Sequence, residues 1–240
     1  MADSDLRRWA EKDFAYRYLE EVNVWIPDRY RLLEILKDFY QHFMGGKTRN
    51  RVLDLGCGDG ILTSQIWSID DSISATLIDG SDDMINRAQE RFAGAGDFQF
   101  IKASFQEIVS TDAPIAKFDI AVSSLAIHHL TRTEKLSLFG WAFCHLIDGG
   151  YFVNIDIVRS PAKDLEKWYF SLWRKWMVEK QSALGMEPNY DGVIGECTSK
   201  EHYSKIDSLD DQLSALREVG FIDVDCFHKY GVFAMYGGRK

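Results

Sequence analysis

The ten residues Arg51 to Gly60, Arg-Val-Leu-Asp-Leu-Gly-Cys-Gly-Asp-Gly, constrain the fold of this chain more than any other stretch. Val52, Leu53 and Leu55 form a short apolar run suited to a buried strand. Gly56, Gly58 and Gly60 follow in a G-x-G-x-G turn, and Ile61 to Trp67 return apolar residues at helical spacing. Strand, glycine turn and helix together bring backbone N–H groups up to a nucleotide-like ligand. Glycine permits the close approach because it has no Cβ and tolerates positive φ.

Two residues narrow the ligand. A dinucleotide fingerprint G-x-G-x-x-G needs glycine where Ile61 stands. Asp54 ends the strand, and a carboxylate there repels a pyrophosphate and attracts a ligand carrying an ammonium and a sulfonium. The segment Val-Leu-Asp-Leu-Gly-Cys-Gly resembles motif I of the class I S-adenosylmethionine (SAM) dependent methyltransferases, most nearly uncharacterised small-molecule methyltransferases of bacteria and archaea. The resemblance implies a doubly wound, mostly parallel α/β sheet of order 3-2-1-4-5-7-6 whose seventh strand is antiparallel. It implies SAM as cofactor, held by Asp54, Gly56, Cys57 and Gly58.

The next strand, Ile73 to Asp79, ends in an acid where nucleotide-binding α/β units hold ribose hydroxyls. By the same resemblance Asp79 and Gly80 belong to the cofactor site and Met84 packs on the adenine. Core packing in an amphipathic helix over 82–93 is an equal alternative for Met84. Ser81 or Asp82 suits the cap of that helix, which leaves Asp79 for a ligand. A third strand spans Phe98 to Ala103. Ser104 stands where many family members carry an aspartate that receives the adenine amino group, so Ser104 or the backbone at Phe105 inherits that contact by resemblance.

Phe118 to Leu125 reads as the fourth strand, with Ser124 at its ligand-facing end and Ala-Ile-His-His-Leu after it. The Asn/Asp-Pro-Pro-Tyr/Phe signature of enzymes that methylate planar amino groups is absent. A helix over Thr131 to Ile147 closes at Asp148-Gly149-Gly150 and a fifth strand follows over Tyr151 to Val158. Asn154 and Asp156 share one face of that strand at its carboxyl end, where open α/β sheets bind ligands. Any general base is expected from His128 or Asp156, with Asn154 assisting. Histidine takes a proton near neutral pH, whereas aspartate needs burial to do so.

The resemblance implies an N-terminal helical lid over 1–48, with aromatics that only cover the sheet as an equal alternative, and a SAM-binding domain over 49–240 with a helical insertion at 160–206. In the lid, 6–21 and 28–44 read as helices. Tyr169, Trp173 and Trp176 fall on one face of the insertion's helix. The resemblance implies that this insertion forms the acceptor pocket, with Trp173 as the expected contact; a cover over the sheet and a homodimer contact are the other uses of that face. Asn189 to Cys197 reads as a mobile loop. A helix from Ser208 to Val219 and a closing strand pair complete the fold.

A formal net charge of -9 argues against a nucleic-acid partner, which needs basic surface. The four cysteines lack metal-ligand spacing, so no metal is expected. No apolar run reaches the length of a membrane span and no signal peptide is evident, so a cytoplasmic protein is expected; a small-molecule acceptor is what the resemblance implies. Two further functions use the same motifs: a non-catalytic SAM-binding regulator or partner subunit, and an NAD-dependent oxidoreductase, the latter disfavoured by Ile61 and Asp54.

Overall fold

The computed structural model describes residues 21–94, 96–111 and 116–240. The helix expected over 6–21 therefore lies almost wholly outside the described residues. Residues 21–25 are helical, and α1 (Arg29–Met44) follows the break at Pro27. The chain then runs β1 (Arg51–Leu55), α2 (Ile61–Trp67), β2 (Ser74–Asp79), α3 (Asp82–Arg91), β3 (Phe98–Lys102), α4 (Phe105–Ser110) and β4 (Phe118–Ser124). A 3-10 turn at Ile127–His129 precedes α5 (Arg132–His145) and β5 (Leu146–Ile157). The last elements are α6 (Lys163–Leu184), α7 (Tyr190–Cys197), α8 (Lys200–Tyr203), α9 (Leu209–Val219), β6 (Ile222–Tyr230) and β7 (Phe233–Arg239).

The seven strands form one sheet in the order β3-β2-β1-β4-β5-β7-β6. β1 lies between β2 and β4, parallel to both. β7 runs antiparallel to β5 and to β6. The expected α/β architecture and strand order are therefore the observed ones. Central strands are apolar on both faces because helices cover both. Period-two alternation divides them: Val52, Ile120 and Val153 belong to one core, and Leu53, Ala121 and Phe152 to the other. Asp54 falls on the Val52 face, so its carboxylate points toward α2.

Three helices start with a reciprocal cap in which a hydroxyl and an acid three residues on satisfy each other's backbone N–H: Ser104 with Glu107, Thr131 with Glu134, and Ser208 with Asp211. Glu134, which also receives Gln106, is held down at about 2 by these bonds against the opposing effect of its partial burial.

Two expectations are corrected. The fifth strand begins at Leu146, so Asp148-Gly149-Gly150 lies inside it. Leu146 pairs with Phe118 before a register shift, and Gly149 takes φ +81° there. Asn189 to Cys197 is not a loop: Tyr190–Cys197 is helical, opened by Gly192 and Val193 amides donating to Asn189 O. The short helix α4 is set by the Ser104 cap.

The insertion's aromatic face docks on the N-terminal segment. Trp173 Nε1 donates to Trp25 O at 2.6 Å and Trp176 Nε1 to Val24 O at 3.0 Å. Trp173 also meets Phe233 edge-on at 5.1 Å. Both indoles thus spend their single donor on the backbone of 24–25, and the covering elements are tied together.

Candidate functional site

The carboxyl ends of β1, β2 and β4 open into a cleft of about 900 Å³, part of it open to solvent. Its position follows from topology: β1 and β4 wind in opposite directions from the sheet centre, leaving a crevice between their loops.

Asp54 forms its floor. Oδ2 accepts the Thr63 hydroxyl at 2.7 Å and the Thr63 amide at 3.4 Å. Oδ1 is buried with no hydrogen-bond partner. Burial pushes this carboxyl up to about 7; the Thr63 bonds oppose the rise, and Asp79 and Asp59 add to it. An orphaned carboxylate oxygen on a cleft wall is an acceptor waiting for a donor, and a cationic one relieves the desolvation as well.

Gly56, Gly58 and Gly60 all take positive φ, for different reasons. A Cβ on Gly56 would come within 2.4 Å of Ala126 Cβ, and one on Gly60 within 2.6 Å of Phe92, so those two serve packing. A Cβ on Gly58 would meet nothing within 4 Å. Gly58 lines the cleft, so this turn leaves room there for a ligand against the backbone.

Asp79 holds that turn from the next strand. Its Oδ2 accepts the Gly58 amide at 2.9 Å and its Oδ1 the Ser81 amide at 2.8 Å. Burial raises its pKa while the Gly58, Ser81 and Gly80 amides lower it. Each oxygen keeps a second lone pair, enough for two ligand hydroxyls. Ser81, not Asp79, caps α3, with its hydroxyl accepting the Met84 amide at 3.4 Å.

The remaining cofactor candidates named from sequence, Cys57, Gly80, Met84, Ser104, Phe105 and Ser124, also line the cleft. The Ser104 hydroxyl donates to Glu107 Oε2 at 2.7 Å, so its proton serves the helix cap. Burial pushes the Cys57 thiol well up, with Asp54, Asp79 and Asp59 adding to it, which keeps it neutral. Sequence reasoning missed Arg29, the one Lys or Arg among the described lining residues, and Leu125, held at φ 52° where β4 ends. No local motif marks Arg29; α1 carries it to the cleft only when the sheet assembles.

The acceptor-side expectations change most. Of the adjacent histidines it is His129 that lines the cleft. His128 is buried behind it, with ring centroids 4.1 Å apart. Asp156 Oδ1 lies 2.5 Å from His128 Nδ1 and accepts the Ile157 amide, while Oδ2 accepts the His128 amide at 3.0 Å and Asn154 Nδ2 at 3.3 Å. With both oxygens occupied, Asp156 orients His128 and is poorly placed as a general base. Asn154 also donates to Tyr236 Oη at 2.8 Å, so it braces this buried network. Trp173 is buried against Phe233 and Trp25 and does not line the cleft. His128, Asn154, Asp156 and Trp173 therefore stand outside the cleft wall, and His129 takes the place expected for His128.

Residues 52–150 match the family model of the methyltransferase domain. That segment is similar to a methyltransferase domain. It is 33% identical over 124 residues to an uncharacterized methyltransferase of Mycobacterium tuberculosis, covering 51% of this chain and 57% of that protein. It is 26% identical over 163 residues to a malonyl-[acyl-carrier protein] O-methyltransferase of Paenibacillus, covering 67% of this chain and 55% of that one. The chain thus spans little more than half the length of these curated relatives. The structure of an O-methyltransferase family protein from Burkholderia thailandensis superposes with TM-score 0.64 at 15% identity, covering 97% of this chain and 61% of that one. The matched segment runs from within β1 through β4 to the start of β5 and includes Asp54, Gly58 and Asp79. Among the described residues no helix is long and apolar enough to cross a membrane.

Proposed function

We propose that this protein transfers the methyl group of S-adenosylmethionine to a small-molecule acceptor. The observation that carries the reading is the unpartnered Asp54 Oδ1 on the floor of the cleft. The ligand's ammonium is the donor that this oxygen lacks. Asp79 takes the two ribose hydroxyls on its remaining lone pairs, and the exposed backbone at Gly58 lies beneath them. Met84 and Phe105 supply apolar surface for the adenine, and Arg29 faces the amino-acid carboxylate. The cofactor, once bound, supplies a methyl on a cationic sulfur that is already activated for displacement.

The chain's own work is then positional. It holds the sulfur's partner groups on rigid strand ends, excludes water with the Trp173- and Trp176-anchored cover, and presents the acceptor in line. An acceptor that arrives ionised needs nothing more.

Calorimetry with S-adenosylhomocysteine and with NAD tests the reading. Binding of S-adenosylhomocysteine at micromolar affinity and no binding of NAD is expected. Binding of NAD alone would replace methyl transfer with an oxidoreductase reading. Turnover of radiolabelled methyl into an acceptor pool separates an enzyme from a SAM-binding regulator.

A further inference from the structure

Beside the proposed cofactor site, three imidazoles converge. His128 and His129 come from the turn after β4, and His202 comes from α8, more than seventy residues later in the sequence. The His128–His202 and His129–His202 ring centroids are both 5.1 Å apart. One nitrogen from each ring lies within 4.8 Å of one nitrogen from both others. Among the described residues this is the one cluster of metal-ligating side chains with that geometry.

Three histidines crowding together repel one another when charged. A second observation gives the arrangement a purpose. Asp156 sits against His128 Nδ1 at 2.5 Å and is itself fixed by the Ile157 and His128 amides. That leaves His128 Nε2 as the nitrogen available to the cluster. A carboxylate behind a ligating histidine fixes its tautomer and raises its basicity, the standard support for an imidazole on a metal. His129 belongs at once to the cluster and to the cleft wall.

We propose that His128, His129 and His202 bind one divalent transition-metal ion, Zn²⁺ in the first instance, with an open coordination position toward the cleft. Neutral imidazoles suit this class of cation, and three protein ligands with one vacancy is the catalytic rather than the structural pattern. Tetrahedral coordination needs ligand nitrogens about 3.4 Å apart, so with separations within 4.8 Å the rings close by at most about 1.4 Å on binding, a movement within reach of side-chain rotation. The cation is no part of the proposed cofactor site and joins it only through the shared wall at His129.

The inference rests on the methyl-transfer reading for its chemical use. The vacancy takes the oxygen of an acceptor hydroxyl. Coordination lowers the hydroxyl's pKa, its proton leaves to solvent, and the bound oxygen keeps the electron pair. That oxygen then attacks the methyl carbon; the new C–O bond forms as the C–S bond breaks, and the bonding pair returns to sulfur. The ion is neither oxidised nor reduced.

The test uses the full chain stripped of metal by a chelator and titrated with Zn²⁺, and separately with Co²⁺ followed by its visible absorption. One equivalent bound at micromolar affinity or tighter, with intense tetrahedral Co²⁺ bands, is expected. His202→Ala should lose at least tenfold in Zn²⁺ affinity and keep its affinity for S-adenosylhomocysteine. Asp156→Asn should lose about 10–100-fold in Zn²⁺ affinity. Zn²⁺ should raise the thermal midpoint of the wild-type protein and not of His202→Ala, which also reports that the variant is folded. No stoichiometric uptake, or equal uptake by wild type and folded His202→Ala, overturns the metal site. Product binding without metal binding overturns the site and leaves methyl transfer standing. Metal binding without product binding supports the site and removes methyl transfer.

Discussion

Asp54 and Thr63 form a closed pair across the glycine turn: one carboxylate oxygen takes both the hydroxyl and the amide of Thr63, and the other is left buried without a donor. The strand end and the helix start are locked together by one half of a side chain whose other half faces the ligand. The pair fixes where the charge sits and keeps it uncomfortable until the ligand arrives.

The first prediction concerns stability and pH. Folded Asp54 titrates at about 7, against about 3.9 in an unfolded chain. Between those values the folded state holds a proton that the unfolded state has released. Its contribution therefore falls as pH rises from about 4 to 7 and is level above 7, a change on the order of 4 kcal/mol. Asp54→Asn lacks this titration. Without ligand, the stability of the variant relative to wild type should rise across that window, as read by denaturant unfolding at pH 4.5 and 7.5. A pH-independent difference would show that Asp54 is ionised throughout.

Affinity should move the opposite way. A ligand ammonium needs ionised Asp54, so S-adenosylhomocysteine should bind with constant affinity above about pH 7 and progressively more weakly below it. Asp54→Asn should lose about 1.5–3 kcal/mol of binding at pH 8. Thr63→Val removes the hydroxyl bond that lowers the Asp54 pKa while keeping the amide bond, and should shift the midpoint of the affinity profile to higher pH. Calorimetry across pH 5.5–8.5 reads both; an unmoved midpoint would detach Thr63 from the ligand site.

The glycines divide by role. Gly56→Ala meets both positive φ and the Ala126 contact at 2.4 Å, and should cost about 3–5 kcal/mol of stability. Gly58→Ala meets only the positive φ, costing about 1–2 kcal/mol, yet its methyl occupies the space proposed for the ligand. It should fold and lose at least tenfold in S-adenosylhomocysteine affinity. A folded Gly58→Ala with normal affinity would place the ligand elsewhere.

Asp79→Ala removes the acceptor of the Gly58 and Ser81 amides as well as the proposed ribose contact. It should cost about 1.5–3 kcal/mol in binding. Asp79→Asn keeps one acceptor oxygen and the size of the side chain, so it should fall between wild type and alanine. If alanine destabilises the fold while leaving affinity intact, Asp79 serves only to hold the turn.

The cover can be loosened without touching the cleft. Trp173→Phe keeps most of the packing against Phe233 but abandons the bond to Trp25 O, at a cost of about 1–3 kcal/mol. Hydrogen exchange at 21–28 and at 186–200 should quicken in this variant and slow in the wild type when S-adenosylhomocysteine binds. Identical exchange with and without ligand would remove any closing motion from the mechanism.

The sequence by itself determined the strands, and its resemblance to a methyltransferase motif implied their order and the side of the cleft proposed for the cofactor. Both depend on local pattern: apolar runs that can only be buried strands, glycines that release the backbone at 56, 58 and 60, and acids at 54 and 79 placed at strand ends by their position in the run. The residues that touch through space were decided by the tertiary structure. His128 and His129 are neighbours in sequence with opposite surroundings, and only the register of β4 on β5 puts Asp156 behind His128 and leaves His129 on the wall. His202 joins them from α8 with no motif to announce it, and Arg29 arrives on a helix packed from the N-terminal side. Trp173 shows the same limit from the other direction: its helix face was readable, but what that face meets, the carbonyl of Trp25, is a long-range contact that chain pattern does not encode. Local periodicity fixes which way a side chain points within its own element, and packing between elements fixes what it finds there.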